Sequence, residues 1–136
     1  MTEVKSDTRR IYGDGRWTYG EFTFGLRYNA ESIYAFLDVA EAQYFWGAGW
    51  WYATTKYPAK ISPASFTVTV GRQVIIDETE VRKDLPHPSG RVQSGSVMYW
   101  GDATYTFSGA AVMFGPYWEE TRLVVPSETW RFDLKA

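Results

Sequence analysis

The side chains that could carry out chemistry are few in this chain of 136 residues. Cys is absent, and the one His is His87. General-base catalysis needs a group that orients the imidazole, and His87 has only prolines beside it. One His without Cys cannot form the usual zinc site. The sequence therefore predicts no catalytic residue, no cofactor and no metal site, and we interpret the protein as a non-enzyme.

Acidic residues are the remaining source of metal ligands. Asp77, Glu78, Glu80 and Asp84 could offer oxygens to calcium, but they lack the spaced, glycine-containing loop of an EF-hand. We interpret them as part of a charged, solvated segment. The net charge of −2, from 14 basic and 16 acidic residues, gives no general attraction to polyanions. No nucleic-acid partner is therefore expected.

Aromatic residues are abundant instead, with 7 Trp, 10 Tyr and 8 Phe. Trp46, Trp50, Trp51 and Tyr52 flank a glycine-rich corner at residues 47–49. In an extended chain, successive side chains point to opposite faces, so Trp50 and Trp51 cannot both enter one core. Large aromatic side chains anchor protein partners and can stack on sugar rings. These four are the predicted contact residues.

Two further segments are predicted to reach a partner. Residues 1–11 are read as a polar arm that is unfolded until it docks. Residues 77–95 are read as a long loop, because a stretch rich in Pro and Gly follows the charged residues. The candidate contact residues are Arg9, Arg10 and Ile11 in the arm, and Leu85 and His87 in the loop.

Residues 30–46 fit two interpretations. As a helix, they place Ile33, Phe36 and Leu37 on one face, with Asn29 as N-cap and Gly47 just after the C-terminus. As strands, they would pair back on the preceding segment. The Ala-Glu-Ala-Gln sequence at 40–43 is poor strand material, and the pattern slightly favours the helix.

Two hairpins are predicted farther along the chain. A three-residue loop after Val70 would pair Val68 with Ile76, whereas a two-residue turn at 71–72 would put the apolar residues of the two strands on opposite faces. The longer loop is therefore preferred. A two-residue turn at 108–109 would place the apolar residues on either side of it on a common face.

The elements that must position these residues are mostly strands. Residues 17–28 alternate in polarity and are read as one long, bent strand. Glycine and proline separate seven or eight short strands in all, which is typical of an antiparallel β-sandwich or barrel, such as a jelly roll or Greek key. Residues 12–136 are read as one domain, with neither an apolar signal sequence nor a membrane span expected in the chain.

Residues 12–25, Tyr-Gly-Asp-Gly-Arg-Trp-Thr-Tyr-Gly-Glu-Phe-Thr-Phe-Gly, resemble aromatic-glycine strings in tailed-phage virion proteins of heads and tails. The resemblance covers about a tenth of the chain and brings no catalytic residues with it. It implies a structural subunit, such as a decoration, head or tail protein, located in the virion. Its partners would then be further copies of the chain, as a homo-oligomer, or other structural proteins.

Two other functions stay open. The aromatic cluster at 46–52 is also typical of a carbohydrate-binding module, in which Trp and Tyr rings form a stacking platform for a glycan. Gly15-Arg16-Trp17 resembles the Gly-x-Trp sequence of lipocalin first strands. That resemblance implies a small barrel that binds an apolar ligand.

Overall fold

The computed structural model describes residues 1–87, 89–115 and 122–136, without the side chain of Asp14. Over these ranges the chain forms two antiparallel sheets, and its one helical element is a short 3-10 turn at Asp14–Arg16. Both sheets are open at their edges rather than closed into a barrel. The prediction of a mainly β, sandwich-like fold is confirmed.

The first sheet contains seven strands in four rows. Its strands are β1 (Thr2–Lys5), β2 (Arg9–Tyr12), β3 (Thr18–Tyr28), β4 (Ser32–Trp46), β5 (Gly49–Tyr52), β8 (Gly90–Gln93) and β9 (Val97–Met98). β1 and β2 both pair with β3, and β9, β8 and β5 pair with successive parts of β4. The described residues form more strands than the seven or eight predicted, because short strands share the two outer rows.

The second sheet has four strands. They are β6 (Ala59–Val70), β7 (Gln73–Leu85), β10 (Ala103–Phe114) and β11 (Arg122–Leu134), arranged in the order β11-β10-β6-β7. The core lies between the two sheets, where Phe24 of β3 contacts Phe66 of β6 and Phe107 of β10. Period-two alternation along these strands directs the large apolar side chains inward.

The preference for a helix over residues 30–46 was wrong. Residues Ser32–Trp46 form β4, in which Phe36 is fully buried although its neighbours Ala35 and Leu37 point into the core on the opposite face. A strand buried on both faces loses its alternation and can imitate a helical pattern. The poor strand formers at 40–43 mark a break in the register between β3 and β4, where Glu41 has a φ of +55°.

The N-terminal segment is not a separate arm. β1 and β2 are hydrogen-bonded to β3, so that Thr2 lies opposite Tyr28 and Arg9 lies opposite Phe22. Between them, the amide of Ser6 donates to the carbonyl oxygen of Phe24 at 2.8 Å. Apolar residues of this segment pack against the core, so folding with β3 is favoured over disorder.

The predicted loop over 77–95 was also wrong. Strand β7 continues to Leu85, and β8 begins at Gly90, so only a short connection separates them. Pro88 of that connection lies outside the described residues. The charged residues from Asp77 to Asp84 lie in β7, at an edge of the second sheet. An edge strand accommodates charges that a central strand would not, which explains why the composition resembled a loop.

The turn between β6 and β7 has two residues rather than three. Val70 lies opposite Gln73 across residues 71–72, and the register shifts farther along. Because of this shift, Val68 still pairs with Ile76, as predicted. A β-bulge thus restores the common face that the short turn alone would have lost.

The predicted turn at residues 108–109 does not exist. Both residues lie inside β10, where Gly109 is opposite Phe66 on one side and Glu128 on the other. A Cβ atom on Gly109 would lie 2.7 Å from the ring of Phe24. Glycine is therefore present because a core ring approaches the backbone, and not because the chain turns.

Candidate binding surface

The four aromatic residues singled out above lie on the β4–β5 hairpin. Residues 47–48 form its turn, with Gly47 at φ +64°, a conformation that glycine adopts without steric cost. Trp46, Trp50, Trp51 and Tyr52 are 57%, 39%, 53% and 50% exposed. All four predicted contact residues are thus accessible, and we call them the aromatic hairpin residues.

These residues cover both faces of the hairpin. Tyr44 lies opposite Trp51, and Phe45 lies opposite Trp50. Cross-strand partners share a face, so Trp51 lies on the face of Tyr44, whereas Trp50 lies on the opposite face. Trp50 thus lies on the face opposite to the core residues Ala42 and Ala53, whereas Trp51 shares their face and is nevertheless 53% exposed. The Trp51 indole Nε1 also donates to the carbonyl oxygen of Trp46 at 3.1 Å.

Trp50 belongs to a row of touching rings that crosses β2, β3, β4 and β5. Its ring centroid lies 4.8 Å from that of Tyr19 and 5.5 Å from that of Phe45. Tyr12 extends the row beyond Tyr19 at 5.4 Å, and Trp17 extends it beyond Phe45 at 5.6 Å. These five residues are the aromatic row. Cross-strand aromatic pairs of this kind stabilise neighbouring strands.

Two guanidinium groups lie over the aromatic row. Arg10 is 4.9 Å from the ring centroid of Tyr19, and Arg16 is 4.1 Å from that of Tyr12. Both distances are within the range of a cation–π interaction. Arg10 is also bonded to Glu21 at 2.8 Å, and this hydrogen bond raises the pKa of Arg10. Burial raises the pKa of Tyr19. The row therefore lies beside two guanidinium groups, of which Arg10 is also paired with Glu21 and Glu41.

The other predicted contact residues are dispersed. Arg9 forms an ion pair with Glu128 at 3.2 Å, and Ile11 packs against the core. Leu85 is fully buried at the end of β7, so it is a packing residue and cannot serve as the predicted partner contact. His87 is exposed in the connection to β8. Among the predicted arm residues, Arg10 reaches the aromatic row through its contact with Tyr19.

Sequence reasoning missed four members of the aromatic row. They are Tyr12, Trp17, Tyr19 and Phe45. The repeated aromatic-glycine pairs at 12–13 and 19–20 were a usable signal. Their placement beside the hairpin nevertheless depends on the β2–β3 and β3–β4 registers, and local sequence does not specify these pairings.

A separate polar cluster ties the N-terminal strand to the sheet. Arg91 of β8 bonds Glu3 of β1 at 2.7 Å and Asp38 of β4 at 2.7 Å. Its guanidinium lies 3.8 Å from the ring centroid of Phe36, which it covers. The two carboxylates raise the pKa of Arg91, and the hydrogen bond from Arg91 lowers that of Glu3. We interpret this cluster as structural, because Arg91 of β8 links β1 to β4.

The described ranges contain neither a group of metal ligands nor a membrane-spanning helix. In residues 1–87, 89–115 and 122–136, no group of three or more His, Asp or Glu side chains could hold a metal ion. Within the same ranges, no helix has the length and apolar character needed to cross a membrane. Comparisons with known protein families, curated proteins and solved structures give no match.

Proposed function

We propose that this protein is a non-enzymatic assembly subunit whose copies join through the aromatic hairpin residues. The observation that carries the proposal is the exposure of Trp46, Trp50, Trp51 and Tyr52 on the two faces of one hairpin, each at 39% or more. Isolated exposed apolar residues are normal, but contiguous exposed patches are typical of interaction sites. Trp and Tyr are also the residue types enriched where binding energy concentrates.

The combined area of these residues indicates how strong one contact is. An aromatic side chain buries about 150–250 Å² when fully covered, so covering the exposed half of four such residues removes roughly 400 Å² from water on each of the two copies. At about 25 cal/mol per Å², the two copies together gain roughly 20 kcal/mol. Association itself costs about 4–15 kcal/mol, and each side chain that becomes ordered costs about 0.5–1.5 kcal/mol more. A single pairwise contact is therefore expected to be weak to moderate, and repeated contacts in an assembly would strengthen it.

The proposed setting is the particle of a tailed phage, where the protein would serve as a decoration, head or tail subunit. Support comes from the resemblance of residues 12–25 to aromatic-glycine strings in such proteins. Tyr12, Trp17 and Tyr19 of that string all belong to the aromatic row. The proposed assembly is a homo-oligomer with closed symmetry, as is usual for oligomers of identical chains.

Light scattering across a range of concentrations tests the proposal. The wild-type molar mass is expected to rise above 15.6 kDa, the mass of one chain, as the protein concentration increases. The double variant Trp46→Ser/Trp51→Ser should remain at the mass of one chain. A matched control is Val74→Ser/Val124→Ser, which removes two exposed apolar residues from the second sheet and should associate like the wild type. A wild type that stays at one chain throughout would overturn the proposal.

Carbohydrate binding is a second candidate, favoured by the geometry of the aromatic row. Trp17 and Trp50 both contact Phe45, at 5.6 and 5.5 Å, yet remain 48% and 39% exposed. Two indoles are thus available along one row, as stacking on successive sugars requires. A broad glycan panel read by Trp fluorescence and calorimetry tests this function. Trp100, which lies between β9 and β10 and is 47% exposed, provides the control. Binding that is lost in Trp17→Ala and kept in Trp100→Ala would support this function, and no response to any glycan would reject it.

A further inference from the structure

We infer that the assembly contact is a strand pairing in which β5 of one copy pairs antiparallel with β5 of a second copy across a two-fold axis. This inference rests on the proposed function and specifies the geometry of its contact. It follows from three features of β5: an open backbone edge, the absence of charge, and apolar residues on both faces.

The hydrogen bond donated by the Phe45 amide shows which way the backbone N–H and C=O groups of Trp50 point. The amide of Phe45 donates to the carbonyl oxygen of Trp17 at 2.6 Å, so it points away from β5. Phe45 and Trp50 are register partners. They must therefore be a pair that does not exchange hydrogen bonds, because such pairs alternate with bonded ones in antiparallel strands. The N–H and C=O groups of Trp50 then point away from β4.

The same alternation applies at Tyr52. The amide of Ala53 donates to the carbonyl oxygen of Ala42 at 3.1 Å, which makes these two residues a bonded pair. Tyr52, one position earlier, therefore turns its N–H and C=O groups outward, as Trp50 does. In the described part of the chain, β5 pairs with β4 alone. Its outer edge is a template for another strand.

The outer strands β5, β7 and β11 differ in charge. Edge strands usually carry charged residues that prevent pairing with other chains. The outer strands of the second sheet follow this rule: β7 contains Asp77, Glu78, Glu80, Arg82, Lys83 and Asp84, and β11 contains Arg122, Glu128, Arg131 and Asp133. Residues 42–55, which include β5, contain no acidic or basic residue. Strand β5 thus lacks the protection that β7 and β11 have.

The side chains of β5 also identify the occupant as a second copy. Trp50 and Trp51 occupy opposite faces, a pattern normally found in strands that are covered on both sides. A matching neighbour must be an uncharged strand with an open edge and aromatic residues on both faces. The β5 strand of another copy meets each requirement, whereas the charged strands β7 and β11 do not. Two neutral edges also meet without repulsion between like charges.

We infer the register in which the outward groups of both Trp50 and Tyr52 form hydrogen bonds. In a two-fold antiparallel pair at this register, the backbone of Trp50 in each copy forms hydrogen bonds with the backbone of Tyr52 in the other copy. Trp51 then faces Trp51 of the second copy at a position without hydrogen bonds, where Cα atoms are about 4.5 Å apart. The two indoles form an aromatic cross-strand pair on one face. Trp50 and Tyr52 of both copies cover the opposite face.

Tyr52→Pro tests whether the backbone takes part. Proline removes the outward N–H of Tyr52, which makes no bond to β4, and its φ is compatible with an edge strand. Tyr52→Ala is the matched control, because it removes the ring but keeps the N–H. Sedimentation equilibrium is expected to show at least tenfold weaker association for Tyr52→Pro than for Tyr52→Ala. Circular dichroism checks that both variants are folded.

Disulfide trapping gives a second measurement that does not need proline. The chain has no Cys, so Trp51→Cys introduces a single thiol. At the inferred register, two such thiols lie close enough to be joined, since disulfides bridge Cα atoms about 4.4–6.8 Å apart. Oxidation should link Trp51→Cys into a covalent dimer, while Val74→Cys, exposed on β7, should stay a single chain.

The outcomes separate the contact geometry from the proposed function. If Tyr52→Pro associates as tightly as Tyr52→Ala, or if Trp51→Cys associates without cross-linking, the strand pairing is wrong. Assembly through the aromatic hairpin residues would still stand in that case, provided that Trp46→Ser/Trp51→Ser is monomeric. A wild type that remains a single chain would instead overturn the proposed function and the inference together.

Discussion

The indole of Trp50 stands edge-on to the ring of Tyr19, with their centroids 4.8 Å apart and their planes inclined at 71°. This contact joins the short strand β5 to β3, two rows away in the sheet. Because Tyr19 is nearly buried while Trp50 is partly exposed, the pair anchors the hairpin to the body of the protein. A binding surface held in this way is already formed before a partner arrives, which lowers the entropic cost of association.

We expect Trp50→Ala to destabilise the monomer by about 1–3 kcal/mol, because it removes three edge-on ring contacts, to Tyr12, Tyr19 and Phe45, together with part of the buried surface. Urea unfolding at low protein concentration measures this without a contribution from assembly. Trp51→Ala is the control. This variant removes an indole that donates a hydrogen bond to the carbonyl oxygen of Trp46 on the same exposed hairpin. The loss of stability should be less than about 1 kcal/mol. Equal losses from the two variants would contradict the anchoring role of Trp50.

Gly109→Ala should destabilise the protein by about 1–3 kcal/mol, because the new Cβ would meet the ring of Phe24 at 2.7 Å in a packed core. Thermal unfolding measures the loss. Gly95→Ala is the matched control, since its Cβ would meet only the side chain of Glu78, at an ordinary 3.5 Å. If Gly109→Ala were as stable as Gly95→Ala, the close approach of Phe24 to β10 would be incorrect.

This glycine illustrates where local sequence misleads. Ser108-Gly109 has the composition of a turn, and the apolar residues around it fit a hairpin. The alternative explanation, a ring from β3 pressing on the backbone of β10, involves residues distant in sequence. No local pattern contains that contact. Strand β4 misled for a related reason, because burial of Phe36 on the outer face depends on Arg91 covering it from β8.

The parts that could be predicted depend on alternation and composition. Residues 17–28 alternate in polarity, and all but Trp17 form β3. The aromatic hairpin residues were recognised because they are concentrated beside glycines and because adjacent tryptophans cannot share one core. The sequence did not predict that Tyr12 and Tyr19 lie beside these residues. Residues 1–11 were read as an unfolded arm, so the pairing of β2 with β3 was not expected.

The pH dependence of stability should reveal the bond between Glu3 and Arg91. This bond lowers the pKa of Glu3 from its usual 4.5. A carboxyl group with a lowered pKa in the folded state contributes stability above its unfolded pKa and loses it as the pH falls through the folded value. The wild type should therefore lose more stability than Glu3→Gln as the pH falls below about 4.5.

Urea unfolding at a series of pH values measures this effect. Glu80→Gln is the control, because that side chain is 68% exposed in its pair with Arg82. It should retain the wild-type loss of stability in acid. An acid response of Glu3→Gln that matches the wild type would argue against a role for Glu3 in holding β1 on the sheet.

Tyr105→Phe should cost about 1–3 kcal/mol. The Tyr105 hydroxyl donates to the carbonyl oxygen of Gly101 at 2.8 Å and accepts from the amide of Trp100 at 3.0 Å. Removing the hydroxyl leaves both groups without this partner beside a fully buried ring. Chemical unfolding compares this variant with Tyr52→Phe, an exposed control that should be nearly neutral. Two equally stable variants would show that water replaces the hydroxyl.

Hydrogen exchange of the wild-type chain at low and high protein concentration tests the central claim most directly. Peptides covering residues 43–57 should become more protected as the concentration rises, because assembly covers the aromatic hairpin residues. Peptides from β7 should exchange at the same rate at both concentrations. Association accompanied by unchanged exchange at residues 43–57 and new protection elsewhere would contradict the proposal that this hairpin is the contact surface.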